Sequence, residues 1–520
     1  MENPAVWLCP SNDAIHISLI QPGDGGLKAI SSFQPQYTYP IFGDEETIFG
    51  YKGLLIKLRF AAHDLRSQVQ ISYDEKIQPV GRAAATDLNE ALKPFLPEES
   101  FGPEADFEQS VLNDPAAKDF KPPGILVHSY TRKDRSYEIW AGSLADAEVR
   151  ALLDRMQIFV SLFIEGGTPI ETDDFKWTLQ RWTVYFVYEK LVEPPTPSAS
   201  VYSFVGYATT YQVYFHDKSS TKQQHQVSEG PFPFTESLDV FELPSRLRIA
   251  QFLILPPHQE CGHGTQLYRT IHRACMDDPA IYELTVEDPN EAFDALRDRN
   301  DYYILEPVFS KHNITINPDP YTPEQARRRP RLMPTSNLIP TSTLRDLRAK
   351  YKIAPTQFAH IVEMYLLSQI PETHRGEKTN LTRVLMQKYR AQNEHDRRYY
   401  WWRMLVKQRL YKRHRDMLTQ IDLQERIDKL EETLRNVEEG YESLLKAFTA
   451  KAARREEAVS QAQEKSVKGK QKEEDGEEEL GGEEGPSRER GKRKFVVFEE
   501  EDDGEGPESE TNGASKKAKV

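Results

Sequence analysis

Cysteine is scarce in this sequence, which has only Cys9, Cys261 and Cys275 in 520 residues. Three cysteines this far apart argue against a disulfide framework and against a CxxC metal site. Such scarcity is typical of proteins that work in a reducing compartment inside the cell. We therefore expect an intracellular protein with no disulfide bond and no bound metal.

Long apolar runs and an excess of basic residues are also missing. No run approaches the roughly 20 residues of a membrane span, and the start MENPAVWLCPSNDA lacks the basic and apolar segments of a signal peptide. We therefore expect a soluble, non-secreted protein that does not bind membranes. The net formal charge is −15, which argues against direct nucleic-acid binding because that needs a basic surface. An acidic surface favours cationic partners, although many such surfaces simply stay solvated.

The first 150 residues carry the pattern of an α+β domain. Strand-like runs occur at 53–62 (GLLIKLRFAA) and 124–131 (GILVHSYT), with Pro- and Gly-marked turns between them. The next stretch, 151–167, has apolar residues at helical spacing and ends at a glycine pair, which predicts a buried helix. We therefore predict an N-terminal domain over 1–150.

A second α+β domain is predicted over 151–326. Aromatic and β-branched runs at 182–191 and 201–215 predict an antiparallel hairpin, and a polar excursion follows at 217–243. The next elements are a buried strand, a glycine loop, an amphipathic helix, a strand and a short helix: LRIAQFLIL, QECGH, GTQLYRTIHRACMDD, IYELTV and NEAFDALRDR. This order predicts a β-α-β unit whose loop lies at the carboxyl end of a strand, where α/β folds bind ligands.

Helices and low-complexity sequence make up the rest of the chain. A helical domain is predicted at 327–450, beginning with a proline-marked connector. Its last helix has a heptad seam that fits either a bundle within the chain or an intermolecular coiled coil: Ile427, Leu430, Leu434, Val437, Tyr441, Leu444 and Phe448. The composition of 451–520 predicts a disordered acidic tail. Its basic clusters at 488–494 and 516–519 are typical of nuclear-import signals.

Two glycines and a histidine, Gly262-His263-Gly264, separate the predicted buried strand from the predicted helix. Backbone N–H groups at such a turn, together with the positive end of a helix dipole, can form an anion site. Glycine has no Cβ, so its backbone can approach a phosphate closely. The pattern Gln259-x-x-Gly262-x-Gly264 is therefore a candidate pyrophosphate cradle, with an ordinary turn as the alternative. It is neither a dinucleotide fingerprint nor a P-loop, since the third glycine and the Gly-Lys-Ser/Thr are missing.

Two adjacent acids, Glu287 and Asp288, follow the strand-like run IYELTV, and Pro289 is expected in the first turn of the next helix. A carboxylate at a strand end beside a phosphate-binding loop can act as a general base that takes a proton from an amine. Burial or a neighbouring acid raises the pKa of such a carboxylate toward neutrality, as that role requires. The alternative is that the two acids only cap the helix.

Several blocks together resemble the catalytic subunit of type B histone acetyltransferases, a branch of the GCN5-related N-acetyltransferase (GNAT) superfamily. The central blocks are RIAQFLILPPHQECGHGTQLYRTIHR and LTVEDPNEAFDALRDRND, and the likeness also includes FGDEETIFGYKGL, FIEGG, DDFKW and VGYATTYQVYF. The resemblance implies a GNAT fold, whose mixed sheet is splayed open between strands 247–255 and 281–286. An α+β N-terminal domain and a helical C-terminal domain would flank it.

The resemblance also implies a cofactor site, with acetyl-CoA as the cosubstrate and no metal. The pantetheine arm would run along the backbone of Phe252, Leu253 and Ile254. The loop that would wrap the pyrophosphate consists of Gln259, Glu260, Cys261, Gly262, His263, Gly264 and Thr265. Asn290 and Phe293 match family positions that contact the rest of the cofactor.

Catalytic roles follow from the same resemblance. Glu287 would be the general base, with Glu165 and Asp288 as nearby carboxylates that share or replace that role. A lysine of reference pKa about 10.4 is almost fully protonated at neutral pH, so its deprotonation is part of the barrier. We expect His263 to act only as a backbone donor, with its ring facing elsewhere, and Cys261 to have no role of its own.

The implied substrate is the basic N-terminal tail of newly made, soluble histone H4, with histone 2A as a second candidate. Two segments match histone-contacting segments of the family: Asp44, Glu45 and Glu46, and Tyr211, Gln212 and Val213. Trp177 either walls the lysine channel or belongs to the core. A WD40-repeat histone chaperone is the implied partner, and the implied location is nucleus and cytoplasm.

Two other functions remain open at this point. The chain could acetylate another basic protein or a small amine, or it could be a non-catalytic scaffold that binds histones. The intact Glu287, Gly262 and Gly264 argue against the scaffold, because a protein without activity would be free to lose them. The acidic stretch at 44–46 favours a basic peptide over a small amine.

Overall fold

The computed structural model describes residues 4–79, 84–214, 244–321, 335–376 and 393–474. These residues form two compact units, and the chain divides between Glu287 and Asp288. The first unit is α+β and the second is helical, so the predicted combination of an α+β part with a helical C-terminal part is confirmed at that level. The excursion at 217–243 and the two basic clusters of the tail lie outside the described residues.

The first unit begins with a four-stranded sheet and two short ribbons. The strands of this part are β1 (Leu8–Pro10), β2 (Ile15–Gly23), β3 (Gly26–Phe33), β4 (Thr47–Phe49), β5 (Tyr51–Lys52), β6 (Leu55–Ala61), β7 (Ser67–Ser72) and β8 (Glu75–Lys76). The four-stranded sheet has the order β3-β2-β6-β7, with β2 and β6 parallel, and the ribbons pair β1 with β4 and β5 with β8. Ile15, Ile17 and Leu19 are fully buried because a period of two places them on one face of β2. The helices are α1 (Ser11–Ala14), α2 (Tyr39–Phe42), α3 (Leu88–Leu92) and α4 (Glu104–Leu112).

A six-stranded sheet makes up the rest of this unit. Its strands are β9 (Ile125–Arg132), β10 (Arg135–Ser143), β11 (Trp182–Lys190), β12 (Tyr202–Tyr214), β13 (Ser245–Ile254) and β14 (Ile281–Val286). The order is β14-β13-β12-β11-β10-β9, and all neighbours are antiparallel except β13 and β14. The accompanying helices are α5 (Ala147–Met156), α6 (Ile158–Phe163), α7 (Lys176–Leu179) and α8 (His263–Asp277). The predicted β11–β12 hairpin and the β13-α8-β14 unit are both confirmed.

The predicted boundary at residue 150 does not separate two domains. It falls inside α5, and one hydrophobic core contains Ile17 of the first sheet together with Leu153 and Phe204. Each sheet has an apolar face that must be covered, and the two share the same buried side chains. The single helix predicted at 151–167 is instead two helices, α5 and α6, which end before the glycine pair.

The second unit consists of helices. They are α9 (Glu291–Lys311), α10 (Thr335–Leu338), α11 (Thr341–Lys350), α12 (Pro355–Ser368), α13 (Glu394–Arg413), α14 (Arg415–Leu418) and α15 (Leu423–Glu474). Leu434, Tyr441 and Phe448 of the heptad seam are buried in one core with Trp402, so the seam packs as a helical bundle within the chain. No helix in the described ranges combines the length and apolarity needed to cross a bilayer.

Two predicted boundaries are therefore corrected in this unit. The helix after TVEDP belongs to the second unit, so the division lies at 287 and not at 326. The final helix continues to Glu474, past the predicted start of a disordered tail at 451. Residues 451–474 are rich in Ala, Glu, Lys and Gln, which have high helix propensity.

Candidate active site

The glycine loop connects the end of β13 to the start of α8. A short 3-10 turn, Pro256–His258, follows β13, and Gly262 is the N-cap residue of α8. Glu260 and Gly262 have positive φ values of 58° and 83°, conformations that can turn successive N–H groups toward one side. The amides of the first turn of any helix have no acceptor within that helix. The loop and helix start thus have the properties of an anion site.

Gly262 is required for two separate reasons. Its left-handed φ of 83° is unfavourable for a residue with a side chain. In addition, a Cβ here would lie 2.0 Å from Nη2 of Arg132, the last residue of β9. Arg132 is only 8% exposed, so it has little space into which it could move. The close approach of this guanidinium is therefore a second reason for a glycine here, in addition to the left-handed turn.

The far end of β13 is open on one side. Its pairing with β14 stops at Ile249, opposite Val286, whereas its pairing with β12 continues to Ile254. Glu287, the residue after β14, donates its backbone N–H to the carbonyl of Ile249 (N···O 2.9 Å). The residues from 250 to 254 consequently extend beyond the end of β14, with Leu253 and Ile254 buried. The predicted pantetheine-binding stretch lies on this edge.

The Gln259 side chain closes the glycine loop back onto β13. Its Nε2 donates to the carbonyl oxygen of Ile254 at 2.8 Å. The predicted backbone contacts of Ile254 with a cofactor must therefore share that oxygen with Gln259. The structure thus gives Gln259 a role in shaping the loop.

Glu287 and Asp288 are both exposed, and neither caps the helix that follows. Asn290 is the N-cap of α9, and its Oδ1 accepts a hydrogen bond from the N–H of Phe293 at 2.9 Å. Pro289 therefore precedes the cap and does not lie in the first turn, contrary to the prediction. The helix-capping alternative for the two acids is thereby excluded, and the burial expected around the base is absent. Asn290 and Phe293 lie in the second unit.

Glu165 lies in a loop that is anchored to β13 close to the Glu287 anchor. The carbonyl of Thr168 in this loop accepts a hydrogen bond from Nε2 of Gln251 at 2.9 Å. Gln251 is two residues beyond Ile249, where the amide of Glu287 is bound. The structure therefore attaches the two predicted carboxylate segments to one short stretch of β13.

The acidic stretch at 44–46 has two exposed acids and one that maintains the fold. Asp44 and Glu45 are exposed. Glu46, in contrast, accepts hydrogen bonds from the backbone N–H groups of Thr38 at 2.6 Å and Tyr39 at 3.2 Å. The Glu46 carboxylate therefore supports the start of α2, and its contact with substrate stays a prediction.

The second predicted substrate segment packs against Arg181. The Tyr211 ring lies 4.6 Å from the Trp182 ring and 4.5 Å from the Arg181 guanidinium. Arg181 also holds the backbone of Gln212: Gln212 N–H donates to the Arg181 carbonyl, and the Gln212 carbonyl accepts from Arg181 Nη2 at 2.5 Å. Val213 is half-buried. Both backbone groups of Gln212 are therefore already used by Arg181.

Trp177 is not a core residue. It is 53% exposed on α7, and Phe175 just before it is 74% exposed. The alternative that Trp177 belongs to the core is therefore wrong. Two large exposed aromatic side chains this close together are typical of a binding surface.

Comparison with known proteins adds the deciding observation. Residues 7–165 match the family described as "Histone acetyl transferase HAT1 N-terminus". A relative from Aspergillus oryzae, named "Histone acetyltransferase type B catalytic subunit", is 60% identical over 467 residues, which cover 90% of this chain and 90% of the relative. The chain belongs to the family of histone acetyltransferase type B catalytic subunits. Relatives of the same name from Neurospora crassa and Cryptococcus neoformans are 38% and 32% identical, covering 84% of this chain and 87% and 97% of the relatives.

The predicted family is therefore confirmed, and with it the enzyme class: this type B catalytic subunit is an acetyl-CoA-dependent acyltransferase. The relatives are similar along both units, so the assignment does not depend on the glycine loop alone. The positions that the family resemblance implies for individual site residues stay predictions.

The ring of His263 faces the protein interior, which agrees with the expectation that it faces elsewhere than a ligand of the loop. It is 2% exposed, and its Nδ1 lies 2.9 Å from the hydroxyl of Tyr130. Its ring is 4.4 Å from that of Tyr137 on β10. Burial lowers the pKa of His263 to about 3, with His258 and Arg132 adding to the effect. The ring is therefore neutral at physiological pH, and it packs under the start of α8 against Tyr130 and Tyr137.

This burial predicts acid sensitivity. The folded protein does not protonate His263 until about pH 3, whereas the unfolded chain does so near 6.5. The contribution of His263 to folding is thus complete above pH 6.5 and decreases as the pH falls toward 3. Titration of His263 makes the free energy of unfolding fall by at most about 1.4 kcal/mol for each pH unit in this window. We expect the His263→Phe variant to lack this contribution. Urea unfolding at pH 7, 6 and 5 measures it, with His16→Phe at an exposed position as the control. An unchanged slope would contradict the prediction.

One group of metal-ligand residue types occurs in the described part of the subunit, namely His63, Asp64 and Asp114. Both carboxylates are already paired with arginines. Arg66 contacts Asp64 and Asp114, and Arg155 contacts Asp64 at 3.2 Å. The cluster therefore resembles a buried ion-pair network more than a cation site.

Three residues that hold the site were missed by the sequence reasoning: Arg132, Tyr39 and Gln251. Arg132 and Tyr39 had no local signal, since their partners are far away in the chain. Gln251 had one, because a polar side chain interrupts the apolar run LRIAQFLIL. A polar residue in a buried strand needs a hydrogen-bond partner, and that requirement could have drawn attention to it.

Proposed function

We propose that this type B catalytic subunit transfers the acetyl group of acetyl-CoA to lysines in the N-terminal tail of newly synthesised, soluble histone H4. Histone 2A is a second candidate substrate, and chromatin assembly is the process it would serve. The arrangement at β13 carries the proposal: an open strand edge, a glycine loop at a helix N-terminus, and two carboxylate segments attached at Ile249 and Gln251.

The cosubstrate would use the open end of β13 and the glycine loop. Backbone amide and carbonyl groups along the edge from Phe252 to Ile254 suit the amides of a pantetheine arm. The helix dipole and the N–H groups at the start of α8 suit its pyrophosphate. We propose a GNAT fold for the first unit, and the separation of β13 from β14 beyond Ile249 supports it.

The chemistry would begin with removal of a proton from the lysine ammonium by Glu287, with Glu165 and Asp288 as assisting carboxylates. The neutral amine attacks the thioester carbonyl and forms a tetrahedral oxyanion, which backbone N–H groups stabilise. Collapse of this intermediate breaks the C–S bond, and CoA leaves as the thiol. An amide bond to lysine is formed, and one proton is released in total.

The substrate preference would come from acids near the reaction site. Asp44 and Glu45 are exposed, and they lie in the segment that Tyr39 connects to the Glu165 loop by a hydrogen bond to Gly166. Burial raises the pKa of Tyr37, and the negative charges of Glu165 and Glu46 near its hydroxyl raise it further. A Lys- and Arg-rich tail complements this negative surface.

The test is acetyl transfer from labelled acetyl-CoA to an H4 tail peptide by the purified chain. We expect transfer by the native protein, and a KM for the peptide raised roughly two- to tenfold in the Asp44→Asn/Glu45→Gln variant, because exposed ion pairs contribute little individually. The kcat should stay unchanged, and added salt should weaken the difference. Glu98→Gln/Glu99→Gln, at two exposed acids on another surface segment, is the charge-matched control.

No transfer to the peptide by the native chain would overturn the proposal. Transfer to a small amine but not to the peptide would favour the alternative acetyltransferase, and binding of the peptide without transfer would favour the scaffold.

We also propose a WD40-repeat histone chaperone as partner and residence in nucleus and cytoplasm. Co-purification of the tagged chain, together with imaging of the cell compartments, tests both.

A further inference from the structure

The loop at 164–168 is held from both sides by side chains. The N–H of Gly166 donates to the hydroxyl of Tyr39 at 2.7 Å, and Nε2 of Gln251 donates to the carbonyl of Thr168 at 2.9 Å. Tyr39 begins α2, next to the acidic stretch at 44–46, and Gln251 lies in β13. The loop therefore connects the proposed peptide-binding segment to the proposed cofactor-binding strand.

The orientation of Gln251 is determined by its buried surroundings. Gln251 is 5% exposed, and its Oε1 accepts a hydrogen bond from the hydroxyl of Tyr207 at 3.1 Å. Tyr207 is fully buried, and this burial raises the pKa of its hydroxyl, so the hydroxyl stays protonated and remains a donor. With Oε1 used by Tyr207, the Nε2 of Gln251 must face Thr168. The amide therefore acts as a rigid connection and not as an adaptable one.

The loop needs such connections because its own sequence is permissive. It contains Gly166 and Gly167, and Gly166 has a left-handed φ of 66° with no atom near its Cβ position. Glycine loses more conformational freedom on folding than any other residue. Glu165 is exposed, so the path of the loop, and not side-chain packing, determines where its carboxylate lies.

We propose that Tyr39 and Gln251 are positioning residues for acetyl transfer, which hold the loop at 164–168 so that the Glu165 carboxylate stays at the β13 edge. This inference rests on the proposed function and deepens it. Tyr39 connects the loop to the peptide side of the reaction, and Gln251 connects it to the cofactor side. Neither touches a reacting atom. Both act through Glu165.

The experiment compares Tyr39→Phe and Gln251→Leu with the native chain, using acetyl-CoA and the H4 tail peptide. We expect kcat to fall about 10- to 100-fold, since small misplacements of a catalytic group have effects of this size. The KM for acetyl-CoA should change less than twofold. Tyr188→Phe is the matched control, because it removes a buried hydroxyl that donates to the His63 carbonyl at 2.9 Å. It should leave kcat unchanged.

A double-mutant cycle with Glu165→Gln separates positioning from loss of stability. If Gln251 and Tyr39 act through Glu165, adding either change to Glu165→Gln lowers kcat little further. Fully additive losses, or an unchanged kcat in both single variants, would overturn the inference while leaving the proposed function intact. Tyr39→Phe removes a single hydroxyl and is the variant to use if Gln251→Leu does not fold.

Amide hydrogen exchange gives a readout that is independent of the proposed function. Exchange at Gly166 should be faster in Tyr39→Phe than in the native chain and in Tyr188→Phe, because the hydroxyl that accepts its N–H is gone. Unchanged exchange would show that Tyr39 does not hold the loop, and would overturn its role. If the native chain fails to acetylate the peptide while exchange changes as expected, the proposed function fails but the loop connection stands.

Discussion

Replacing both Glu287 and Glu165 with glutamine is expected to lower kcat for acetyl transfer by about 100- to 10,000-fold, the usual contribution of general-base catalysis. Glutamine keeps the shape of glutamate but cannot take a proton from the lysine ammonium. Both carboxylate segments are attached to neighbouring positions of β13, so the double variant removes both carboxylates from that stretch of the strand. The affinity for acetyl-CoA should be unchanged, because neither substitution alters the glycine loop.

The pH dependence of kcat in this double variant provides a sharper test of the general base. A substrate lysine deprotonates without help as the pH approaches about 10.4, so the deficit of the double variant should shrink steadily from pH 7 to pH 9.5. The two single variants show which carboxylate carries more of the role, and Glu98→Gln/Glu99→Gln controls for the lost charge. Undiminished transfer by the double variant at pH 7 would refute the assignment of the base.

Gly262→Val is expected to abolish acetyl-CoA binding. A side chain at a φ of 83° costs about 1–2 kcal/mol in itself. Here the new Cβ also collides with the buried guanidinium of Arg132, at 2.0 Å from Nη2. Relieving this collision requires the buried guanidinium or the loop to shift, and we expect the loop shift to displace the N–H groups at the start of α8. Isothermal titration calorimetry with acetyl-CoA measures the loss.

The control for this prediction is Gly25→Val. Gly25 has a nearly identical φ of 86°, but no atom lies within 4 Å of its Cβ position. That variant should lose stability through backbone strain alone and keep its affinity for acetyl-CoA. If Gly262→Val also binds acetyl-CoA with native affinity, the glycine loop is not the pyrophosphate site.

Local signals were sufficient to predict the elements around the glycine loop. The apolar run before it, the helical periodicity after it and the strand-like IYELTV each depend on neighbours in sequence. The structure accordingly has β13, α8 and β14 close to the predicted places. The placement of Glu287 at a strand end followed from the same pattern.

The corrections concern contacts between distant parts of the chain. The Gly166–Tyr39 hydrogen bond joins residues 127 positions apart, and the Gln251–Thr168 hydrogen bond joins residues 83 apart. The family resemblance gave Asp44, Glu45 and Glu46 one shared substrate role, and the sequence alone does not distinguish the three acids. Only the folded loop shows that Glu46 accepts the N–H groups of Thr38 and Tyr39.

The sequence by itself determined the family, the elements and the residue types of the site, because these depend on composition, spacing and order along the chain. Only the tertiary structure decided which carboxylates are exposed, which side chain lies against Gly262, and where the chain divides into units. These depend on which side chains meet across the fold: Arg132 against Gly262, Tyr39 against Gly166, and Gln251 against Thr168. Such meetings are set by packing and buried hydrogen bonding, which no local pattern encodes.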